Sequence, residues 1–220
     1  MEILDEATLT VYYPFENNLI DQGPLHINGT GSDCQFSSDG RFGAALYLAE
    51  KNAFVSTGNL ILIGTDNRSY SMCFWIRPDL VQEAIIIRIS TNALTSTLSN
   101  VTVRLNSIGY LVAEICGSLG KIMVQGPLMM NHAWTQTVVT YSRNNGLRLY
   151  ANGTLYGTAF LYSQAVTSTS SMVTIGHSVN PFIACDYDII STGSYIGLVD
   201  EFRLYARELS ASNILQMFNV

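Results

Sequence analysis

Residues 134–160 read WTQTVVTYSRNNGLRLYANGTLYGTAF, and this stretch decides the fold class. Its first part, 134–142, is rich in threonine and valine, which is typical of a β-strand. Arg143-Asn144-Asn145-Gly146 predicts a turn, and Asn152-Gly153 predicts a second, tighter one. Three strands in a row, joined by such short turns, can pair only with their neighbours. The stretch therefore predicts an antiparallel meander.

The rest of the chain has the same character. Residues 69–77 alternate strictly, with Tyr70, Met72, Phe74 and Ile76 on one face. Further strands are predicted at 9–13, 84–90, 101–106, 110–116, 121–125, 172–175 and 197–205. A helix is predicted only at the C-terminus, where Ser210 is the candidate N-cap. Ten or more short strands and one short helix predict an all-β antiparallel sandwich of the jelly-roll type. We expect one domain over residues 1–220, with its core at about 9–218.

Composition excludes several classes of protein. Charged residues make up 13% of the 220 residues and hydrophobic residues 48%, the opposite of a disordered chain. The formal net charge is -6, so a nucleic-acid partner is not expected. No apolar run approaches the eighteen or so residues that span a bilayer, so we expect no membrane insertion.

The N-terminus is acidic and lacks a signal peptide, which at face value indicates the cytosol. The alternative is an initiator Met on a fragment, or a mature chain whose signal peptide has been removed. The even number of cysteines and four Asn-X-Ser/Thr sequons favour this alternative, and we expect an extracellular protein. The predicted glycosylation positions are Asn28, Asn67, Asn100 and Asn152.

The four cysteines allow three pairings, among which the sequence does not choose. Cys73 falls in the middle of a predicted strand, as a small buried residue does. Cys116 ends a strand and Cys185 lies in a long loop. The pairing we favour is therefore a Cys116–Cys185 disulfide that tethers this loop.

Catalysis is not expected. The chain has no G-x-S-x-G motif, and its three histidines lie far apart in the sequence. A β-sandwich glycosidase needs two carboxylates that flank one glycosidic bond. Asp200 and Glu201 are adjacent and so face opposite ways, while Asp186 and Asp188 alternate but lie in an irregular stretch. We therefore predict a protein that is not an enzyme.

Asp200 is the most informative single residue. Strict alternation over 197–205 groups it with the apolar Leu198, Phe202 and Leu204. A carboxylate on an apolar face is costly unless it is paired, hydrogen-bonded or bound to a metal. One interpretation is a calcium ligand, together with Glu16, Asn18 and Asp21 of the early loop. The other is a carboxylate at the edge of the core that accepts hydrogen bonds from backbone N–H or Arg groups.

One long loop, residues 180–195, is the candidate ligand-binding segment. Long loops of this kind often carry function, although an ordinary hairpin extension is the alternative. The chain has twelve Tyr, nine Phe and two Trp, and sugar sites use aromatic faces beside short polar groups. The candidate residues of this loop are Phe182, Asp186, Tyr187, Asp188 and Tyr195.

Several motifs, in order, resemble laminin G-like domains of the concanavalin A-like lectin/glucanase superfamily. Tyr13-Pro14-Phe15-Glu16 with Asp21-Gln22-Gly23 is similar to their opening, and Gly40-Arg41-Phe42-Gly43-Ala44-Ala45-Leu46 to their next motif. The segments 71–78, 134–141 with 147–153, and 197–210 resemble the later strands, central hairpin and closing strand. One departure is Gln136, where the hairpin motif usually has His.

This resemblance implies a concanavalin A-like jelly roll and a secreted or cell-surface module, often with a calcium ion near the strand ends. The resemblance implies calcium ligands only at Glu16, Asp21 and Asp200, which stand in the matching motifs. The function it implies is non-catalytic recognition, with carbohydrate as the expected ligand and calcium as the possible cofactor. The alternative is an adhesion or self-assembly domain that contacts other extracellular proteins or identical copies. The low charge leaves few residues to block strand edges, which is compatible with this alternative.

Overall fold

The computed structural model describes residues 8–60, 68–90, 99–117, 120–160, 171–177 and 193–219, apart from the side chains of 59, 99–100 and 116–117. In chain order the strands are β1 Leu9–Tyr13, β2 Thr30–Ser32, β3 Gln35–Ser37, β4 Ala45–Leu48, β5 Phe54–Leu60, β6 Tyr70–Pro78, β7 Ala84–Ser90, β8 Ser99–Leu105, β9 Tyr110–Gly117, β10 Gly120–Leu128, β11 Thr135–Ser142, β12 Gly146–Ala151, β13 Thr154–Ala159, β14 Ser171–Gly176 and β15 Gly197–Tyr205. The described residues also form helix α1, Ala211–Phe218.

Two antiparallel sheets form the sandwich. Sheet A has the order β13-β12-β11-β6-β15-β4-β3, and β1 also pairs with β15. Sheet B has the order β10-β9-β8-β7-β14-β5-β2. The predicted meander is present as β11-β12-β13, and the predicted bounds of β7 and β15 agree with the structure. The predicted fold class, an all-β jelly-roll sandwich with a short C-terminal helix, is confirmed.

The main core lies between the inner faces of the two sheets. Every second residue of β6 points into it, as the alternation predicts, and each of Tyr70, Met72, Phe74 and Ile76 is buried. Sheet B contributes the alternate apolar residues of β7, β8 and β9. Full burial of one large apolar side chain stabilises the fold by about 1.5–3 kcal/mol. This core therefore supplies most of the driving force for folding.

A second, smaller core lies on the outer face of sheet A, beneath helix α1. Ile214 of the helix is fully buried in it, together with Cys73, Val138 and Tyr150 from three adjacent strands. Ser210 caps the helix as predicted, since its Oγ accepts a hydrogen bond from the Asn213 backbone N–H at 3.2 Å. None of the helical segments in the described part of the chain is long and apolar enough to cross a membrane.

A β-bulge in β15 changes the face on which Asp200 lies. Asp200 pairs with Trp75 of β6, but the next regular pair is Arg203 with Cys73, so one extra residue is inserted. Glu201 takes up this insertion with a φ of 55°. The strict alternation that groups Asp200 with Phe202 is therefore wrong. Asp200 lies beside Trp75 on the outer face of sheet A, whereas Phe202 enters the main core.

Candidate functional site

The three predicted calcium ligands do not form one group. Asp21 is almost completely buried, and its two carboxylate oxygens accept three backbone hydrogen bonds. The donors are Tyr12 N at 2.8 Å, Gly23 N at 2.7 Å and Ile27 N at 2.8 Å. These bonds join the β1 strand to the segment that follows it. In this structure the Asp21 carboxylate therefore holds that segment against β1.

Glu16 and Asp200 instead meet on one loop, residues 40–44. Glu16 Oε2 accepts a hydrogen bond from Ala44 N at 3.1 Å, and Asp200 Oδ2 accepts one from Phe42 N at 3.0 Å. The loop approaches Glu16 closely at Gly43, where an added Cβ would lie 2.1 Å from Glu16 Oε1. Gly43 also has a φ of +59°, so a side chain there would be strained as well as crowded. Two carboxylates thus fix the position of this loop.

The environment of Asp200 makes it an unusual carboxyl group. It is fully buried, and burial raises the pKa of Asp200 to about 7, with the neighbouring Glu201 adding to the effect. Hydrogen bonds from the backbone N–H of Phe42 and Glu201 act in the opposite direction. The loop that Asp200 holds also covers Trp75, since the Arg41 guanidinium lies 4.5 Å from the Trp75 ring centroid.

Calcium binding by Glu16, Asp21 and Asp200 together does not fit this geometry. Calcium takes six to eight oxygen ligands. Among the described residues no group of three or more His, Cys, Asp or Glu side chains could hold a metal ion. Asp21 already accepts hydrogen bonds from three backbone donors, and Glu16 and Asp200 each accept one from the 40–44 loop. Calcium dependence stays a prediction, and no step of the proposed function depends on it.

The structure places the other predicted site residues as follows. Phe182, Asp186, Tyr187 and Asp188 lie outside the described residues. Tyr195 is 1% exposed, and its hydroxyl donates a hydrogen bond to the Leu198 carbonyl at 3.1 Å, so its side chain belongs to the core.

The predicted modifications are placed only in part. Cys185 and the side chain of Cys116 lie outside the described residues, and so do Asn67 and the side chain of Asn100. Cys34 and Cys73 take no part in a disulfide. Asn28 and Asn152 are exposed, which leaves both accessible to glycosylation.

A group of polar and aromatic side chains lies where β6 ends and β11 begins. We call it the Arg77 cluster, and it consists of Asp39, Tyr47, Arg77, Asp79, His132 and Trp134. The sheet register brings it together, since Leu198 of β15 pairs with both Tyr47 and Arg77. Trp134 precedes β11 on the other side of Arg77, because Thr135 pairs with Ile76.

Arg77 is the centre of this cluster. Its guanidinium forms a salt bridge with Asp39 and a longer one of 3.9 Å with Asp79. The same group lies 5.7 Å from the centroid of the Trp134 ring, within the range of a cation–π contact. Two carboxylates and an indole thus orient one guanidinium, which is a rigid arrangement for a surface group.

The remaining members surround this centre. His132 Nδ1 lies 3.3 Å from Asp79 Oδ1. Burial raises the pKa of Tyr47, and its hydrogen bond with Asp79 raises that pKa further. The side chains of Asp39 and His132 are both 68% exposed, so the cluster is open to solvent. An aromatic ring beside fixed hydrogen-bonding groups is the chemistry that sugar sites use.

Sequence reasoning missed this cluster. The sequence predicts Arg77 and Trp134 only as parts of strands, and Asp39, Asp79 and His132 fall between predicted strands in segments without a motif. The three segments that supply them, 39–47, 77–79 and 132–134, are far apart in the sequence, so only the strand register shows that they converge. The one available signal was the outward face of β6, on which alternation places Trp75 and Arg77.

Sheet B has a polar row on its outer face. The row runs through Glu114, Thr102 and Arg88 on three adjacent strands, each less than 7% exposed. Arg104 makes two hydrogen bonds to Glu114 Oε1, at 3.1 and 2.6 Å, which satisfy this buried charge. The row is therefore closed to solvent in this structure, and the Arg77 cluster is the more accessible of the two polar surfaces.

Solved structures with a similar fold include binding domains of other proteins. The binding domain of Paraclostridial Mosquitocidal Protein 1 is similar with a TM-score of 0.72 and 18% identity, covering 97% of this chain and 52% of that one. Domain 4 of AbnA, a GH43 extracellular arabinanase from Geobacillus stearothermophilus in complex with arabinotriose, is similar with a TM-score of 0.67 and 20% identity, covering 96% and 98%.

A toxin structure gives a similar result. Botulinum neurotoxin type C, whose cell entry depends upon interaction with two ganglioside molecules, has a TM-score of 0.68 and 16% identity, covering 100% of this chain and 52% of that one. The chain thus spans about half the length of the toxin chains that it matches. Identities this low show a shared fold alone.

The sequence itself identifies the family. No curated protein sequence matches the chain. The laminin G model of the concanavalin A-like lectin/glucanases superfamily matches residues 49–215, which include the closing strand and most of helix α1. Because this match covers more than half of the chain, the protein belongs to the concanavalin A-like lectin/glucanase superfamily.

Proposed function

We propose that this protein is a non-catalytic extracellular recognition module that binds carbohydrate through the Arg77 cluster. The observation that carries the proposal is the Trp134–Arg77–Asp39 arrangement at one end of sheet A, in which Trp134 is partly buried and the Asp39 side chain is 68% exposed. Such a site can stack a sugar ring on an indole and satisfy its hydroxyl groups with a carboxylate and a guanidinium. The likeness to a domain solved with arabinotriose and to toxin binding domains supports a binding role.

The cluster favours uncharged sugars. It holds two carboxylates, Asp39 and Asp79, against one guanidinium, and that guanidinium is already paired with both. A sugar carboxylate would therefore meet like charges without a free cation to receive it. We expect neutral oligosaccharides to bind more tightly than their sialylated counterparts.

The absence of catalysis is part of the proposal. A glycosidase acid needs a raised pKa and contact with the leaving-group oxygen. Among the described carboxyl groups, the raised pKa belongs to Asp200, which is fully buried and hydrogen-bonded to Phe42 and Glu201. It therefore cannot reach a substrate.

A glycan array screened with the purified chain tests the proposal. Trp134→Ala is expected to weaken binding of the best neutral ligand about ten-fold or more, because stacking is lost. Trp134 also contacts Arg77, so Asp39→Asn, which changes an exposed side chain, is the second variant; its affinity should fall at least about three-fold. Tyr156→Ala, which removes a 48% exposed ring on β13, is the matched control and should bind normally.

Three outcomes would count against parts of the proposal. Silence of the wild-type chain across the array contradicts carbohydrate binding. If both Trp134→Ala and Asp39→Asn bind with wild-type affinity, the Arg77 cluster is not the carbohydrate site. Repeating the screen with a chelator decides the calcium question separately, since loss of binding confirms the calcium prediction and unchanged binding makes it wrong.

An adhesion or self-assembly function is the second candidate, and strand β13 favours it. β13 is the edge of sheet A, contains no charged residue or proline, and exposes Leu155 and Tyr156 by 46% and 48%. Edges without such blocking residues can pair with another strand. A mass by size-exclusion chromatography that rises with concentration, and that falls to the monomer value in Tyr156→Lys, would support this function.

A further inference from the structure

Four large apolar side chains are exposed on neighbouring turns at the end of the sandwich where β6, β8 and β10 terminate. We call them the tip patch. Ile108 is 73% exposed, Met130 69%, Leu128 54% and Leu80 45%. Single exposed apolar residues are ordinary, but a group of them marks a surface that another body covers.

The three turns that carry the patch are in contact. The Val81 backbone N–H donates to Asn131 Oδ1 at 2.8 Å, and the Met129 N–H donates to the Gly109 carbonyl at 3.0 Å. Gly109 fits between the other two turns, since an added Cβ would lie 2.5 Å from Val81 Cγ1 and 3.5 Å from Leu128 Cδ1. The patch is therefore one surface.

The turns are also rigid beneath the exposed side chains. Asn106 Oδ1 accepts hydrogen bonds from the backbone N–H groups of Ile108, Gly109 and Tyr110, at 3.1, 3.0 and 2.9 Å. Three donors on one acceptor fix the turn that holds Ile108 at its tip. Met129, between Leu128 and Met130, is 5% exposed and anchors its turn in the main core. Ile108 and Met130 are thus held outward by a fixed backbone.

The chemistry of the patch points to a lipid surface. Its members are aliphatic side chains or Met, without the Trp, Tyr or Arg anchors that dominate protein–protein contacts. Residues 106–109 and 128–131 contain no charged residue, so these two turns would bring no charge into an apolar layer, while the third turn carries Asp79 beside Leu80. The side chains also stand on separate turn tips, and a fluid bilayer accepts separate projections without a complementary shape.

We propose that the tip patch enters the interfacial region of a zwitterionic phospholipid bilayer, to the depth of its side chains. The nearest acidic residues in the β6–β7 turn are Asp79 and Glu83, and the chain carries a net charge of -6, so anionic head groups are disfavoured. The sequence predicts no membrane insertion because no apolar run is long enough to span a bilayer, and the contact proposed here differs from that case, since only exposed side chains enter the interface. Asp79 and His132 of the Arg77 cluster lie close in sequence to Leu80 and Met130 of the tip patch. Contact of the patch with a bilayer would therefore hold the Arg77 cluster next to the membrane surface.

Sedimentation with phosphatidylcholine vesicles that contain no glycan tests the proposal independently of carbohydrate binding. The wild-type chain should partition onto the vesicles. Ile108→Ser and Met130→Ser should each lower the partition coefficient about five-fold, and the double variant about twenty-fold. An added anionic lipid should not strengthen binding. Both side chains are mostly exposed, so the thermal unfolding temperature should stay unchanged, which verifies that the variants fold.

Phe160→Ser is the matched control. Phe160 is 61% exposed and follows β13, at the opposite end of sheet A from Trp134. Its removal should leave vesicle binding intact. The proposal is overturned if the wild-type chain does not bind vesicles or if the double variant binds them as well as wild type. It is also overturned if Phe160→Ser weakens vesicle binding as much as the double variant does. A double variant that dissociates a wild-type oligomer but keeps vesicle binding would overturn it too, by showing an interface between copies.

Discussion

Asp21→Ala is expected to destabilise the fold by about 3–5 kcal/mol. The carboxylate is 1% exposed and accepts hydrogen bonds from the backbone N–H groups of Tyr12, Gly23 and Ile27. Alanine would leave one buried and two partly buried donors without their acceptor, and each buried unsatisfied donor costs about 1–3 kcal/mol. The free energy of unfolding from urea titration measures the loss.

Two further variants sharpen this experiment. Asp21→Asn keeps one oxygen acceptor but places an amide donor near a backbone donor, so it should lose about half as much stability as Asp21→Ala. Glu50→Ala removes the same unit of charge from an exposed position and should change stability by less than about 0.5 kcal/mol. If Asp21→Ala lowers the free energy of unfolding by less than about 1 kcal/mol, the attachment of the segment after β1 does not depend on the carboxylate.

Asp200 is expected to make the fold less stable as the pH rises from about 4 to about 7. Burial raises the pKa of Asp200 in the folded state to about 7, from an ordinary value of 3.8. In this window the unfolded chain has released the proton while the folded chain still holds it. Stability therefore falls with rising pH, by up to ~1.4 kcal/mol per pH unit, and levels off above pH 7. The full effect is about 4 kcal/mol.

Asp200→Asn should remove this component, because an amide does not titrate in the window. Urea titrations at several pH values between about 5 and 8 should show a steeper decline for the wild-type chain than for the variant. Asp39→Asn is the matched control, since its carboxylate is 68% exposed, and it should keep the wild-type slope. Equal slopes in wild type and Asp200→Asn would contradict the prediction.

The long strands were predictable because their signals are local. Alternation in β6 and the turn residues on either side of β12 depend on neighbours in the sequence, and the structure contains both features. The strands β2 and β3 escaped prediction because three residues are too few to show a period of two. Strand β5 contains Gly58 and Asn59, which read as a break rather than as part of a strand.

The candidate site was much less predictable than the fold. Glu16 and Asp200 were predicted as calcium ligands, which stays a prediction, and in the structure both accept hydrogen bonds from the 40–44 loop. The loop residues Phe182, Asp186, Tyr187 and Asp188 stay predictions. Tyr195 turned out to be buried in the core, because a tyrosine can satisfy its hydroxyl on a nearby carbonyl and then pack like a phenylalanine.

The sequence by itself determined the jelly-roll sandwich, its meander, its helix cap and its family, because alternation, turn chemistry and capping act between residues that are close along the chain. Tertiary structure alone decided what the polar side chains do. A one-residue bulge moved Asp200 to the outer face of sheet A, and the fold of the segment after β1 brought three backbone N–H groups to the Asp21 carboxylate. Strand register assembled the Arg77 cluster, and contact between separate turns formed the tip patch. The bulge, the Arg77 cluster and the tip patch depend on contacts across large sequence separations, whereas the Asp21 contacts span at most nine residues and depend on how that segment folds back onto β1.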